Sequence, residues 1–234
     1  DRGHHPPLLR CCRMTVRQKP ILVIMARFPR YGRGKTRLAA STSKATAANF
    51  QRHALRRLLR ELGGRSRPWQ TRLSLIPKQD WRLARRVLPI RDWQLVDQGS
   101  GDLGDRMQRL LRLGAPQQPV IVIGSDTPDI RTADIHHALS ALRSHDMVLG
   151  PTTDGGYWLI GWRGRPWLGT SRHCPRLNPV RWSTDHARAD TMQCLQPRHR
   201  AALISTKTDV DDRADLRQHY QNRFRQKHIA VNTA

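Results

Sequence analysis

The chain has 234 residues and a formal net charge of +24 at pH 7, and 38% of its residues are hydrophobic. This length predicts one sizeable α/β domain and leaves too little chain for two full domains. No apolar stretch approaches the roughly 18 residues that a membrane span needs.

The chain divides by composition into a short basic start, one long domain and a tail. We predict a disordered leader over residues 1–18 with Met14 as a candidate start, a single domain over 19–222 and a tail over 223–234. The start is polar and basic, so we expect it not to be a secretory signal. The four cysteines lack metal-ligand spacing, which argues against a disulfide framework and favours the reducing cytoplasm.

Apolar runs alternate with segments of helical periodicity along the domain. Strands that alternate with helices are typical of a mostly parallel sheet covered on both faces. The predicted elements are strand 21–26, helix 43–62, strand 71–76, helix 79–88, strand 93–96, helix 105–113, strand 120–124, helix 132–144, strands 147–150 and 157–162, helix 184–195, strand 201–204 and a last helix from about residue 212.

Two of the apolar strands end in an acidic turn marked by glycine. Gly124 is followed by Asp126, and the strand 147–150 is followed by Asp154. Ligand sites of open α/β sheets lie at the carboxyl ends of the strands, so carboxylates placed there are candidate functional groups. These two turns predict an enzyme of nucleotide or sugar-nucleotide chemistry.

The loop after the first strand contains five cations and two glycines between residues 26 and 38. Glycine lets backbone amides approach a phosphate, and Arg or Lys neutralises it, so Arg27, Arg33, Lys35 and Arg37 are candidate phosphate contacts. A solvated basic turn is the alternative. The segment is not a Walker A motif, because Pro29 stands where that motif needs a glycine.

Three acidic positions near the strand ends have both a functional and a structural interpretation. Asp126 is a candidate Mg²⁺ ligand, because this cation takes one or two carboxylates together with substrate phosphates. Asp129 is expected to cap the following helix. Asp211 is either a second metal ligand or the N-cap of the last helix, and in Asp209-Val210-Asp211 both carboxylates point the same way if the segment is extended.

Two glycine motifs have competing interpretations. Asp154-Gly155-Gly156 is either a hairpin turn or the floor of a substrate pocket. Residues 99–104 match G-x-G-x-x-G, but Asp102 and Asp105 would oppose a pyrophosphate at that helix start. We therefore interpret these two acids as helix caps.

The positive charge is concentrated in the first part of the chain. Residues 1–91 contain 23 Lys or Arg against three acids, whereas residues 92–234 contain 19 against 15. A basic half of this kind could bind nucleic acid. The alternative is a compositional bias toward arginine, since 36 of the 42 cations are Arg.

Six blocks occur in an order that resembles a known family. They are MARFPRYGRGKTRLA, GSGDLGDRM, VIVIGSDTPDI, VLGPTTDGGYWLIG, RWSTDHARADTM and TDVDDRADL. The chain resembles the DUF2064 family of glycosyltransferase-A-like proteins, also called radical-SAM/selenodomain-associated transferase 1. That family is related to the guanylyltransferase of deazaflavin-cofactor synthesis.

The resemblance implies a three-layer α/β/α sandwich with a mostly parallel sheet, the fold of GT-A-type nucleotide-diphosphosugar transferases. It implies a transferase dependent on Mg²⁺ or Mn²⁺, with a nucleotide or nucleotide-sugar donor and a small acceptor, that performs glycosyl or nucleotidyl transfer. The alternative is a non-catalytic, basic nucleic-acid-binding protein on the same fold. The resemblance implies Arg33, Lys35 and Arg37 as phosphate contacts, Asp126 and Asp211 as metal ligands, and Asp154, Gly155 and Gly156 as the acceptor pocket. The full predicted site comprises catalytic Lys35, Asp126 and Asp154, substrate-binding Arg27, Arg33, Arg37, Gly155 and Gly156, and the metal ligands Asp126 and Asp211.

Overall fold

The computed structural model describes residues 18–115, 117–164 and 174–232, so the predicted leader lies almost wholly outside the described residues. Within these ranges the strands form one seven-stranded sheet, and each predicted strand is present with bounds that differ by three residues or fewer. The strands are β1 Ile21–Arg27, β2 Gln70–Ile76, β3 Gln94–Val96, β4 Val120–Gly124, β5 Met147–Pro151, β6 Tyr157–Trp162 and β7 Ala201–Leu203.

The sheet is mixed and mostly parallel, in the order β3-β2-β1-β4-β6-β5-β7. Only β6 among these strands runs antiparallel to its neighbours β4 and β5. After β1, the next two strands β2 and β3 are placed on one side of it, and β4 then pairs with the other side of β1. The direction of winding therefore reverses between β1 and β4.

The helices lie close to their predicted positions, with one short addition. The helix at Thr36–Ser41 was not predicted, because its six residues are too few to show a helical period and Leu38 is the one residue that it buries. The helices are α1 Thr36–Ser41, α2 Lys44–Leu62, α3 Trp81–Val87, α4 Leu103–Leu111, α5 Thr132–Ala141, α6 Ala187–Gln193 and α7 Arg213–Asn232.

Side chains of β1 alternate between two apolar cores, one on each face of the sheet. Leu22 and Ile24 belong to the core that β1 shares with α2, α3 and α5. Ile21 and Val23 belong to the core that β1 shares with α4. Because both faces are covered, the strand is a continuous apolar run, as expected for a buried parallel strand. The predicted three-layer sandwich is confirmed.

Local capping interactions determine where several helices begin. The Ser43 side chain accepts a hydrogen bond from the Thr46 amide at the start of α2. Asp102 and Asp105 form a capping box on α4, which confirms their interpretation as caps. The helix predicted from residue 184 begins at Ala187 instead, because Ser183 has a left-handed φ of 61° and the Thr184 hydroxyl accepts from the His186 amide in a turn.

None of the helices in the described ranges combines the length and the apolar character that crossing a membrane requires.

Candidate functional site

The candidate site lies where the winding of the sheet reverses. β1 and β4 are parallel neighbours, and Met25 on β1 pairs with Gly124 on β4. The loops that follow these two strands therefore diverge from the same edge of the sheet. Open α/β sheets have their ligand crevice at such a switch point.

Lys35 lies between two carboxylates at this edge. It directly precedes α1 in a left-handed conformation with φ of 46°, and its side chain is only 4% exposed. Its Nζ lies 2.8 Å from Asp211 Oδ1 and 3.6 Å from Asp126 Oδ1. The structure thus brings together the three sequence-predicted residues Lys35, Asp126 and Asp211 around one ammonium group.

The surroundings of Lys35 keep its side chain protonated. Burial alone would lower the pKa of the ammonium, but the negative charges of Asp126, Asp211 and Asp209 and the hydrogen bond to Asp211 outweigh burial and raise the pKa. The carboxylates are more accessible, with side-chain exposures of 56% for Asp126 and 43% for Asp211. A buried cation therefore faces two acids that can also reach solvent.

Asp209 belongs to the same cluster and was not among the predicted site residues. The Thr127 hydroxyl donates a hydrogen bond to it. Burial is the main cause that raises the pKa of Asp209 to about 6. The Thr127 hydrogen bond and the Lys35 charge lower this pKa, whereas the charges of Asp126 and Asp154 raise it further. The signal that could have identified it is the Asp-Val-Asp alternation, which places its carboxylate on the same side as that of Asp211.

The segment that carries Asp209 and Asp211 is held beside the end of β5. The Lys207 amide donates to the Pro151 carbonyl at 3.0 Å. The N-cap of α7 is Asp212, whose carboxylate accepts from the amides of Ala214 and Asp215 at 2.7 and 3.0 Å. The N-cap alternative for Asp211 is therefore wrong, and its carboxylate instead accepts from Lys35.

The arginines of the first loop lie at the rim. Arg37 is 82% exposed, and its Nη1 is 4.0 Å from Asp211 Oδ2. Arg27 and Arg33 are exposed, so both residues are accessible from solvent. Arg30 instead forms an ion pair with buried Asp80.

Asp154 closes the tight turn between β5 and β6. Its Oδ1 accepts from the Thr152 hydroxyl at 2.5 Å and from the Gly156 amide at 3.1 Å. Gly155 has φ of +85°, and a Cβ there would lie 2.2 Å from the Asp185 carbonyl oxygen. The turn predicted from Asp-Gly-Gly is present, and the charge of Asp154 also acts on Asp209. A role of these three residues in acceptor binding stays a prediction.

The prediction that Asp129 caps α5 is wrong. The N-cap position of that helix is Arg131, whose amide donates to Asp134. Asp129 turns away from α5 to Arg57 on α2, with Nη1–Oδ1 of 3.2 Å, and to His219 on α7, with Nδ1–Oδ2 of 3.1 Å. Sequence separations of 72 and 90 residues leave no local pattern that could have indicated these pairs.

Asp126 and Asp211 stay the predicted cation ligands, since both carboxylates are accessible to solvent beside Lys35. Across the described ranges no three or more His, Cys, Asp or Glu side chains form a group that could hold a metal ion. Two carboxylates nevertheless fit Mg²⁺, which typically completes its shell with water and substrate phosphate oxygens.

Comparisons with known proteins agree with this architecture. The model of the family described as "Uncharacterized protein conserved in bacteria (DUF2064)" matches residues 58–184. No curated protein matches the chain at a significant level.

Two solved structures illustrate the likeness in fold. A "putative nucleotide-diphospho-sugar transferase" from Desulfovibrio desulfuricans G20 is 25% identical with a TM-score of 0.75, over 88% of this chain and 87% of that one. The 4-diphosphocytidyl-2C-methyl-D-erythritol synthase from Anaerococcus prevotii DSM 20548 is 11% identical with a TM-score of 0.52, over 89% and 96% of the two chains. At that identity the second likeness concerns the fold alone.

Replacing Gly155 with alanine tests how tightly the turn is packed. We expect Gly155→Ala to lower the free energy of unfolding by about 2–4 kcal/mol, since it combines left-handed strain with overpacking against backbone. Gly64→Ala is the matched control, because Gly64 has φ of +115° but no atom lies within 4 Å of the position that an added Cβ would take. Equal losses in urea denaturation would contradict the close packing of Gly155 on Asp185.

The Asp129 pairs predict a pH-dependent contribution to stability. Burial tends to raise the pKa of Asp129, but His219, Arg57 and Arg131 outweigh it and lower the pKa. Its stabilising effect is therefore present above the unfolded value of about 3.9 and disappears as the pH falls through the lower folded value.

Asp129→Asn should accordingly be less stable than the unchanged protein at about pH 5, by roughly 0.5–1 kcal/mol because solvent screens a half-exposed pair. The difference should shrink toward about pH 3, where both folded and unfolded carboxyl groups take up protons. Urea denaturation of both proteins across this range measures it. A difference that grows as the pH falls would contradict the assigned sign.

Proposed function

The chain belongs to the DUF2064 family, and from this membership, its fold and its site geometry we propose that it is a transferase that uses a nucleotide or nucleotide-sugar donor. The observation that carries the proposal is the buried ammonium of Lys35 between Asp126 and Asp211 at the switch point of the sheet. The name of the similar Desulfovibrio protein supports the same class of donor.

The charges at the site suit a ligand with a phosphate chain. Lys35 offers a protonated, desolvated donor, and Arg37 adds an exposed guanidinium at the rim. Arg27 and Arg33 are proposed to contact outer phosphate oxygens. Transfer from such donors depends chiefly on positioning and charge stabilisation, which fixed cations provide.

We propose that Asp126 and Asp211 also hold Mg²⁺ or Mn²⁺. Such an ion, when bound, neutralises charge on phosphate oxygens and on the leaving group. Lys35 now compensates the two carboxylates, so its ammonium would be released to donate to the donor phosphates. Asp209 accepts from Thr127 beside them and contributes further negative charge when ionised.

Two reactions are compatible with these residues, and their products differ. In nucleotidyl transfer an acceptor phosphate oxygen attacks the α-phosphorus, and pyrophosphate leaves. In glycosyl transfer an acceptor hydroxyl oxygen attacks the anomeric carbon, and a nucleoside diphosphate leaves. Asp154, proposed at the acceptor side, would orient the acceptor in either case.

Metal-linked donor binding is the first test. We expect one nucleoside triphosphate or nucleotide sugar to raise the melting temperature only with Mg²⁺, by an amount equivalent to about 2.7 kcal/mol at 100 times its Kd. A triphosphate would indicate nucleotidyl transfer, and a nucleotide sugar would indicate glycosyl transfer.

Asp126→Asn should abolish the Mg²⁺-linked stabilisation by the donor. The control Asp92→Asn should keep this stabilisation, because Asp92 pairs with Arg65 outside the site. Absence of any metal-linked shift would refute the proposal. Steeply salt-dependent binding of RNA or DNA would then favour the non-catalytic alternative.

Lys35→Met tests whether the ammonium compensates the two acids. With chelator present, we expect unfolding free energy to fall by about 1–2 kcal/mol, less than for a fully buried pair because the acids reach solvent. Added Mg²⁺ should recover part of this loss. Arg37→Met is the control, since its exposed side chain should contribute little. Equal effects of the two substitutions in urea denaturation would count against the bridging role.

A further inference from the structure

A pocket that is separate from the candidate site lies between α2, α7 and the loop that follows β4. Its volume is about 430 Å³, within the range of small-molecule sites. None of the predicted site residues lines it. Its walls include Phe50, Arg56, Arg57, Arg60, His219 and Tyr220.

Three guanidinium groups from successive turns of α2 dominate the charge of this pocket. Arg56 and Arg60 are four residues apart and Arg57 and Arg60 three apart, so they share one face of the helix. Like charges at this spacing destabilise a helix. An anion bound among them would remove that repulsion.

Arg56 and Arg60 have no carboxylate partner within the described ranges, whereas Arg57 is paired. Glu61 accepts from the amide and hydroxyl of Thr132, both at 3.0 Å. Asp129 pairs with Arg57 and with His219, whereas Arg56 donates to the Val87 carbonyl at 2.7 Å. Arg60 has neither a hydrogen bond nor an ion pair to the part of the chain that the structure describes.

The other walls of the pocket are apolar and aromatic. Phe50 is buried, and Tyr220 is 46% exposed. The His219 ring lies between them, at centroid distances of 6.1 Å from Phe50 and 5.6 Å from Tyr220. A ligand held by the arginines would therefore meet a preformed wall instead of open solvent.

We propose that this pocket binds a small phosphate-bearing molecule at a site distinct from the transferase site. Guanidinium groups hold phosphate oxygens through paired, charge-assisted hydrogen bonds, and Arg56 and Arg60 line this pocket without a carboxylate partner among the described residues. Because Pro128 lines the pocket, the ligand contacts the same loop that presents Asp126 at the candidate site. The inference does not depend on the proposed transfer reaction.

Calorimetric titration with inorganic pyrophosphate in the presence of chelator tests this site. We expect the double variant Arg56→Gln/Arg60→Gln to weaken binding about tenfold or more, because two charged donors are lost. Arg52→Gln is the matched control on the same helix, since Arg52 is exposed and bonds only to Asn49 among the described residues. It should change the affinity less than twofold or so.

Lys35→Met separates this pocket from the transferase site. Pyrophosphate binding that persists in Lys35→Met and fails in the double variant supports the proposal. Binding lost only in Lys35→Met assigns pyrophosphate to the transferase site and overturns it. Equal weakening by Arg52→Gln indicates a diffuse charge effect and also overturns it, as does the absence of binding to the unchanged protein. Circular dichroism of each variant verifies that it is folded.

Discussion

The site depends on one electrostatic constraint, the compensation of Asp126 and Asp211 by the buried ammonium of Lys35. The three residues come from the loop after β1, the loop after β4 and the segment before α7, so their meeting requires the complete sheet edge. Without a cation between them, two carboxylates and the nearby Asp209 would repel one another. The Lys35 ammonium thus connects the loop after β4 with the segment before α7.

The unequal burial of this cluster is informative. Burial alone lowers the pKa of a Lys, but here the surrounding acids outweigh burial and raise the pKa of Lys35. The acids themselves remain about half exposed. An arrangement with a buried cation and accessible anions can exchange partners when a metal ion enters, because the exposed carboxylate oxygens can be reached from solvent. A fully buried triad would lack this freedom.

Local signals in the sequence were sufficient for the sheet and for the residues at its edge. The apolar run of β4 predicted both the strand and the exit position of Asp126, and the G-x-G-x-x-G segment was correctly interpreted as a cap because its acids oppose a pyrophosphate. The contacts of Asp129 could not be predicted in this way. The local sequence indicated only that Asp129 caps the helix that follows it, α5. Its actual partners Arg57 and His219 become neighbours only when α2 and α7 pack together.

The loop after β4 shows how a short segment can be positioned from several directions at once. Asp126 faces Lys35, buried Thr127 donates to Asp209, Pro128 lines the pocket beside α2 and α7, and Asp129 is held by these two helices. Lys207 adds a hydrogen bond to the Asp129 carbonyl. Because its neighbours are fixed on both sides, the Asp126 carboxylate is placed without a dense set of its own hydrogen bonds. Its oxygens therefore stay accessible to a cation, which is the property that a preorganised cation site requires.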